Sequence, residues 1–140
     1  MRINRNGKYA LRFKLENDSL VNVQQSVDSD DVVMISTTGY ASRFKCDAIR
    51  TSGRVSGGVY GIKVADRKGS GGGFVAGMLA MSEADSQILT ISKYGMAKRS
   101  RLGSGEMLPL TEGGTPIVDE SGDQVFERDG YRKTNRGTKG

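Results

Sequence analysis

Hydrophobic positions in this chain alternate far more often than they recur at helical spacing. From Lys8 to Leu15 every odd position is apolar (Tyr9, Leu11, Phe13, Leu15) and the even positions are mostly basic. That is the period-two pattern of a half-buried strand. Leu20-Val21-Asn22-Val23 follows the turn-type cluster Glu16-Asn17-Asp18-Ser19. Val32-Val33-Met34-Ile35 is a short apolar run with β-branched residues, as in a strand buried on both faces. Thr38-Gly39 then turns the chain into Tyr40-Ala41-Ser42-Arg43-Phe44-Lys45. No stretch sustains a 3.6-residue period with caps, and Asp47 to Arg50 is predicted as one helical turn at most.

The second half repeats the first. Val33-Met34-Ile35-Ser36-Thr37-Thr38-Gly39-Tyr40-Ala41-Ser42-Arg43 aligns with Leu89-Thr90-Ile91-Ser92-Lys93-Tyr94-Gly95-Met96-Ala97-Lys98-Arg99, an offset of 56 residues from Gly39 to Gly95. Phe74 to Met81 takes the place of Leu20 to Ser26, and Gly61 to Val64 that of Leu11 to Leu15. A third element, an Arg followed by small residues and Gly, opens each unit. It occurs at Asn4-Arg5-Asn6-Gly7, at Gly53-Arg54-Val55-Ser56-Gly57-Gly58 and at Asn135-Arg136-Gly137. Arg5 and Arg54 are 49 residues apart, Arg54 and Arg136 are 82. The excess falls in 102–127, read as an insertion. Units of about 50 residues with four short strands each have the form of propeller blades. The predicted division is blade one at 4–52, blade two at 53–134 with the insertion 102–127, and the start of a further repeat at 135–140.

Composition narrows the chemistry. The 140 residues include 20 Gly and only 2 Pro, which suits many tight turns. With no His there is no Ser-His-Asp triad and no imidazole ligand or base. A single Cys, Cys46, allows neither an internal disulfide nor a Cys-rich zinc site. No apolar run reaches the roughly 18 residues of a membrane span, and the N-terminus lacks a secretory signal. A closed domain of this mass would keep roughly 7,000 Å² of accessible surface. No Gly-x-x-x-x-Gly-Lys-Ser/Thr phosphate loop is present, and no cofactor is expected.

The charge of +5 is unevenly spread. Residues 1–41 are neutral, 42–68 carry +5 and 93–101 carry +4. Residues 102–127 carry six acids and no base, and 128–140 return to +4. Basic blocks around one acidic stretch point to a polyanion partner and to something that competes with it.

Three elements, in the same order twice over, resemble the C-terminal domain of the DNA gyrase A protein and its relative in topoisomerase IV. They are Val33 to Phe44, then Arg54-Val55-Ser56-Gly57-Gly58-Val59-Tyr60-Gly61-Ile62, then Ile88 to Arg99. The resemblance covers most of 4–101 and resumes at 131–140. It implies an all-β fold of β-pinwheel, propeller-like blades of four-stranded antiparallel sheet, about two of them here. It also implies a basic rim that binds and wraps duplex DNA without sequence preference. The partners it implies are duplex DNA, the remainder of the gyrase A protein, and the ATPase protein that pairs with it, in the bacterial cytoplasm at the nucleoid. The family's basic box, Gln-Arg-Arg-Gly-Gly-Lys-Gly, has its counterpart in Thr134-Asn135-Arg136-Gly137-Thr138-Lys139-Gly140, which departs at the first, second and fifth positions. The catalytic Tyr of such enzymes follows an Arg; none of Tyr9, Tyr40, Tyr60, Tyr94 or Tyr131 does. The chain itself is expected to be non-catalytic.

The expected DNA contacts are Arg43 and Lys45 in the first repeat, Lys98, Arg99 and Arg101 in the second, and Arg54, Arg136 and Lys139 in the Gly-rich loops. Tyr40 and Tyr94 read as packing residues beside turn glycines, and Gly69 to Gly73 as a hairpin loop. Two other readings stay open: a propeller-type protein-interaction module with a basic face, and a single-strand binder. An open two-blade piece also exposes strand edges, so a homo-oligomer is in view.

Overall fold

The structure, a computed structural model, describes residues 6–64, 72–82 and 86–138. Every ladder in them is antiparallel. The strands are β1 (Asp31–Ser36), β2 (Ala41–Lys45), β3 (Val75–Met81), β4 (Gln87–Ile91), β5 (Ala97–Arg101), β6 (Met107–Pro109), β7 (Thr111–Glu112), β8 (Thr115–Pro116) and β9 (Phe126–Arg128). A three-residue 3₁₀ turn, Cys46–Ala48, stands where one helical turn is predicted. The sheets are small: β2-β1-β3, β4-β5, β6-β9 and β7-β8.

The 56-residue repeat is carried into atomic detail. In β1–β2 the opposed pairs run from Asp31↔Lys45 to Ile35↔Ala41. In β4–β5 they run from Gln87↔Arg101 to Ile91↔Ala97, the same register shifted by one repeat. The connecting turns match as well. Ser36 N–H donates to Tyr40 O and Ser92 N–H to Met96 O, at 2.9 and 2.8 Å. The hydroxyls of Ser36 and Ser92 accept from the N–H of Tyr40 and Met96, both at 3.1 Å. Gly39 and Gly95 share φ +83°, a left-handed conformation that glycine adopts without steric cost.

Sheet membership cuts across this repeat. β3 belongs to the second repeat by sequence phase, yet it pairs with β1 from Asp31↔Met81 to Ile35↔Gly77, continuing past a bulge to Ser36↔Val75. The first sheet therefore has three strands, one borrowed, and β4–β5 has two. Four-stranded blades do not form among the described residues. The segments 8–15 and 20–23, predicted as strands, lie in no ladder and are exposed. Alternation marks a residue run as able to pair, but the neighbours of β1 are already β2 and β3, and Asn22 and Gln24 reach β3 only through their side chains, at Met78 and Ala80.

The core lies between the two repeats. Val33 of β1 packs with Ile88 of β4 and with Leu102, flanked by Ile35, Met81 and Tyr131. Only six apolar residues are buried among the described ones, and the accessible surface is 11168 Å², well above the roughly 7,000 Å² of a closed domain this size. Apart from Ile88, the apolar side chains of β4 remain outside: Leu89 is 62% and Ile91 66% exposed.

The acidic stretch is a folded appendage. Its base is closed by Tyr131 N–H donating to Leu102 O at 2.9 Å. Beyond that neck β6 pairs with β9 and, inside them, β7 pairs with β8. Asp129 fixes the neck by accepting from Ser104 N–H at 2.7 Å. The backbone hydrogen bonds at Leu102 and Tyr131 put the appendage at 103–130, slightly later than its acidic composition suggests.

Candidate nucleic-acid interface

Of the eight basic residues singled out in the sequence, the seven that the structure describes divide into carbonyl-bound anchors and exposed cations. Arg43 is an anchor. On β2 it stands two residues before Lys45, the partner of Asp31 in the ladder, so its side chain shares a face with Asp31. Its Nη2 donates to Asp31 Oδ2 at 2.6 Å, and Nη1 donates to the carbonyls of Leu102 and Tyr131 at 2.7 and 2.9 Å. Arg43 is 3% exposed. The expectation that it touches phosphate is therefore corrected: its guanidinium ties blade one to the neck of the appendage. A planar fork with several donors suits such a multi-carbonyl anchor.

Arg136 is spent in the same way. Its Nε donates to Ala48 O at 3.0 Å and Nη1 to Tyr60 O at 2.8 Å. The segment around it is stitched to β2 by Thr134 N–H to Arg43 O and to the Gly-rich stretch by Gly137 N–H to Gly61 O, at 2.7 and 2.8 Å. Lys139 lies outside the described residues, as does Arg5.

The exposed cations are Lys45, Arg54, Lys98, Arg99 and Arg101. Lys45 is half exposed; its Nζ sits 3.3 Å from Asp31 Oδ1 and donates to Ser29 O at 2.9 Å. One repeat on, Arg101 takes the ladder position of Lys45, opposite Gln87 in place of Asp31. Arg99 takes the position of Arg43 but has no carboxylate across the ladder. β5 thus brings Lys98, Arg99 and Arg101 to one exposed strand. The appendage faces it across a cleft of about 560 Å³, whose walls include Lys98 and Arg101 on one side and Glu127 and Asp129 on the other.

Two carboxylates that the sequence did not single out organise these cations. Burial pushes the Asp31 carboxyl up, but the hydrogen bond and charge of Arg43, with help from Lys45, outweigh it and hold the group below its usual range. Asp129 is also lowered, chiefly by the backbone N–H of Ser104 and then by its hydroxyl, with smaller help from the charges of Arg101 and Arg43. A signal for Asp31 existed in the sequence: it falls on the same strand face as Arg43 once the hairpin is centred on Thr38.

The Asp31 pair sets an acid limit on stability. Because the folded carboxyl titrates below its unfolded value of about 3.9, its contribution is complete above that value. It is lost as pH falls through the lower folded value. The melting temperature of the chain should thus drop below about pH 4. In Asp31→Asn this part of the drop should vanish, leaving a lower and flatter profile between pH 5 and 3 by calorimetry.

Small antiparallel sheets built on an internal repeat, with a strand handed from one repeat to the other, define a propeller-class protein. Residues 30–70 match the family model described as DNA gyrase C-terminal domain, beta-propeller. The DNA gyrase A protein of Staphylococcus epidermidis is 30% identical over 140 residues, covering 99% of this chain and 12% of that protein. That of Lawsonia intracellularis is 30% identical over 119 residues, 84% of this chain and 14% of the relative. That of Salmonella typhimurium is 35% identical over 85 residues, 61% of this chain and 9% of the relative. The chain is thus similar to the DNA gyrase C-terminal domain over residues 30–70 and to DNA gyrase A proteins over up to 99% of its length. It spans about an eighth of the length of the first of these relatives. Among the described residues no helix is long and apolar enough to cross a membrane.

Proposed function

We propose that this chain is a DNA-binding part of a gyrase A-type protein, holding and bending duplex DNA without reading its sequence. The observation that carries the reading is the exposed basic strand β5 on a chain with this likeness, with Lys45 and Arg101 at one and the same ladder position of successive repeats. Cations repeated at one phase of a blade lie along a path that a phosphate backbone can follow. Each phosphate neutralised releases counterions, and repeated contacts offset the cost of bending. The proposed contacts are Lys45, Arg54, Lys98 and Arg101, with Arg99 beside them and Lys139 from the Gly-rich end. The chain carries out no bond chemistry in this reading; the topoisomerase reaction, its ATP and the ATPase partner belong to the whole enzyme in the cytoplasm.

Titration with random duplex DNA across a salt series tests this. Affinity should fall linearly in log salt and be indifferent to sequence. Lys98→Ala combined with Arg101→Ala should reduce the slope by about 2, whereas Arg136→Ala should leave the slope unchanged. Absence of binding at low salt overturns the reading.

A further inference from the structure

We propose that the appendage is a built-in competitor of the duplex: its carboxylates stand beside β5 and weaken the hold of Lys98 and Arg101 on phosphate. The inference rests on the DNA-binding reading above and adds a regulator to it.

The place where the appendage is rooted comes first. Arg101 shares its ladder position with Lys45 of the first repeat. After Lys45 the chain makes one tight turn, in which Ile49 N–H donates to Cys46 O. After Arg101 it leaves at Leu102 for the appendage and returns at Tyr131. The appendage therefore starts one residue beyond a cation of the proposed path, where the first repeat has only a turn.

Its charge is one-sided. Residues 103–130 hold seven acids and one base, a net of −6. The base, Arg128, donates from Nη1 to Gly105 O at 2.9 Å, so its guanidinium is engaged at the neck. Register sorts the acids. Leu108 stands opposite Glu127, and Asp129 N–H donates to Glu106 O. Glu106, Leu108, Glu127 and Asp129 thus share one face of β6–β9, and Met107, Pro109, Phe126 and Arg128 take the other. Leu108, Glu127 and Asp129 line the cleft of about 560 Å³ together with Lys98 and Arg101, whereas Met107 and Phe126 do not. The acid face is the one turned to β5. Asp129 is fixed there by Ser104 N–H.

A duplex brings one phosphate charge per ~1.7 Å of its axis. Each phosphate that approaches Arg101 also meets Glu127 and Asp129. That repulsion reaches far at about 0.01 M salt, where the Debye length is about 30 Å, and fades by about 0.1 M, where it is about 10 Å.

Deleting 104–129 joins Leu102-Gly103-Gly130-Tyr131 and tests the competitor. The two glycines already have φ +64° and +75°, as a two-residue hairpin turn with both central φ positive requires. The Tyr131 N–H to Leu102 O bond and the carbonyl partners of Arg43 are retained. Random duplex DNA is titrated into the intact chain and the deletion. At about 0.01 M salt the deletion should bind about tenfold more tightly, and the gain should shrink at about 0.1 M. Two isosteric variants of equal charge locate the effect. Glu106→Gln with Glu127→Gln, on the acid face, should raise low-salt affinity about threefold. Glu112→Gln with Glu120→Gln, neither of which lines the cleft, should raise it much less. Urea unfolding identifies any variant that has failed to fold, and the two double variants decide the matter without the deletion. Equal low-salt affinity of all chains, or equal gains from the two double variants, overturns the competitor and leaves the DNA-binding reading standing. Absence of binding by every chain, the deletion included, overturns that reading and the competitor with it.

Discussion

Arg43→Met should lower the unfolding free energy by about 3–5 kcal/mol, as breaking a buried ion pair from one side does. The substitution strands the Asp31 carboxylate at 8% side-chain exposure with only Lys45 nearby. It also removes the donor shared by the Leu102 and Tyr131 carbonyls. Arg99→Met, at the same ladder position one repeat later, should cost no more than about 0.5 kcal/mol, because an exposed side chain without such partners is being replaced. Urea unfolding of the two variants gives the comparison, and equal losses would contradict the internal role of Arg43. The double substitution Asp31→Asn with Arg43→Met should recover part of the loss, since the uncompensated charge is then gone. Arg43→Lys should recover little. An ammonium can replace the charge but not the fork that reaches a carboxylate and two carbonyls together.

The second large effect belongs to Gly130→Ala, with an expected loss of about 3 kcal/mol or more. Gly130 has φ +75°, and a Cβ there would overlap the Leu102 carbonyl and lie 2.8 Å from the Arg101 carbonyl. The left-handed conformation alone costs an alanine roughly 1–2 kcal/mol. The overlap adds to this because both obstacles are backbone. Gly95→Ala is the control: its φ is +83° but nothing lies within 4 Å of the added carbon. It should show the conformational cost only, about 1–2 kcal/mol. Similar melting shifts for the two variants would mean that the neck yields more readily than its packing indicates.

The repeat is legible in the sequence because its turn chemistry is local. Ser36 and Gly39, then Ser92 and Gly95, write the same hairpin twice, and strand alternation on either side sets the register. The partner of β3 is not legible. Residues 75–81 show that they can form a strand, but nothing in their own pattern distinguishes β1 from β4 as the neighbour. The segment 8–15 fails for the same reason in reverse, with good alternation and no strand beside it. The candidate site is half legible. Lys98 and Arg101 are on the surface, where charge ordinarily belongs. Arg43 and Arg136 have the pattern of surface residues too, although their guanidinium groups serve backbone carbonyls, that of Arg43 inside the structure and that of Arg136 at a partly exposed site. Burial of an arginine depends on what a distant part of the chain presents. For Arg43 that is the neck at Leu102 and Tyr131, 59 and 88 residues away.

That neck has a consequence for how such a chain can change length. In the first repeat the step from Cys46 to Ile49 is a single tight turn, closed by one N–H···O bond. In the second, the step from Leu102 to Tyr131 is closed by the same bond at the same length, 2.9 Å, yet a whole hairpin appendage stands between them. Entry and exit are adjacent, so material can be spliced in at this point without displacing the strands on either side. The position acts as a grafting port: a gene could lengthen, shorten or exchange the appendage here while the ladder of the blade keeps its register.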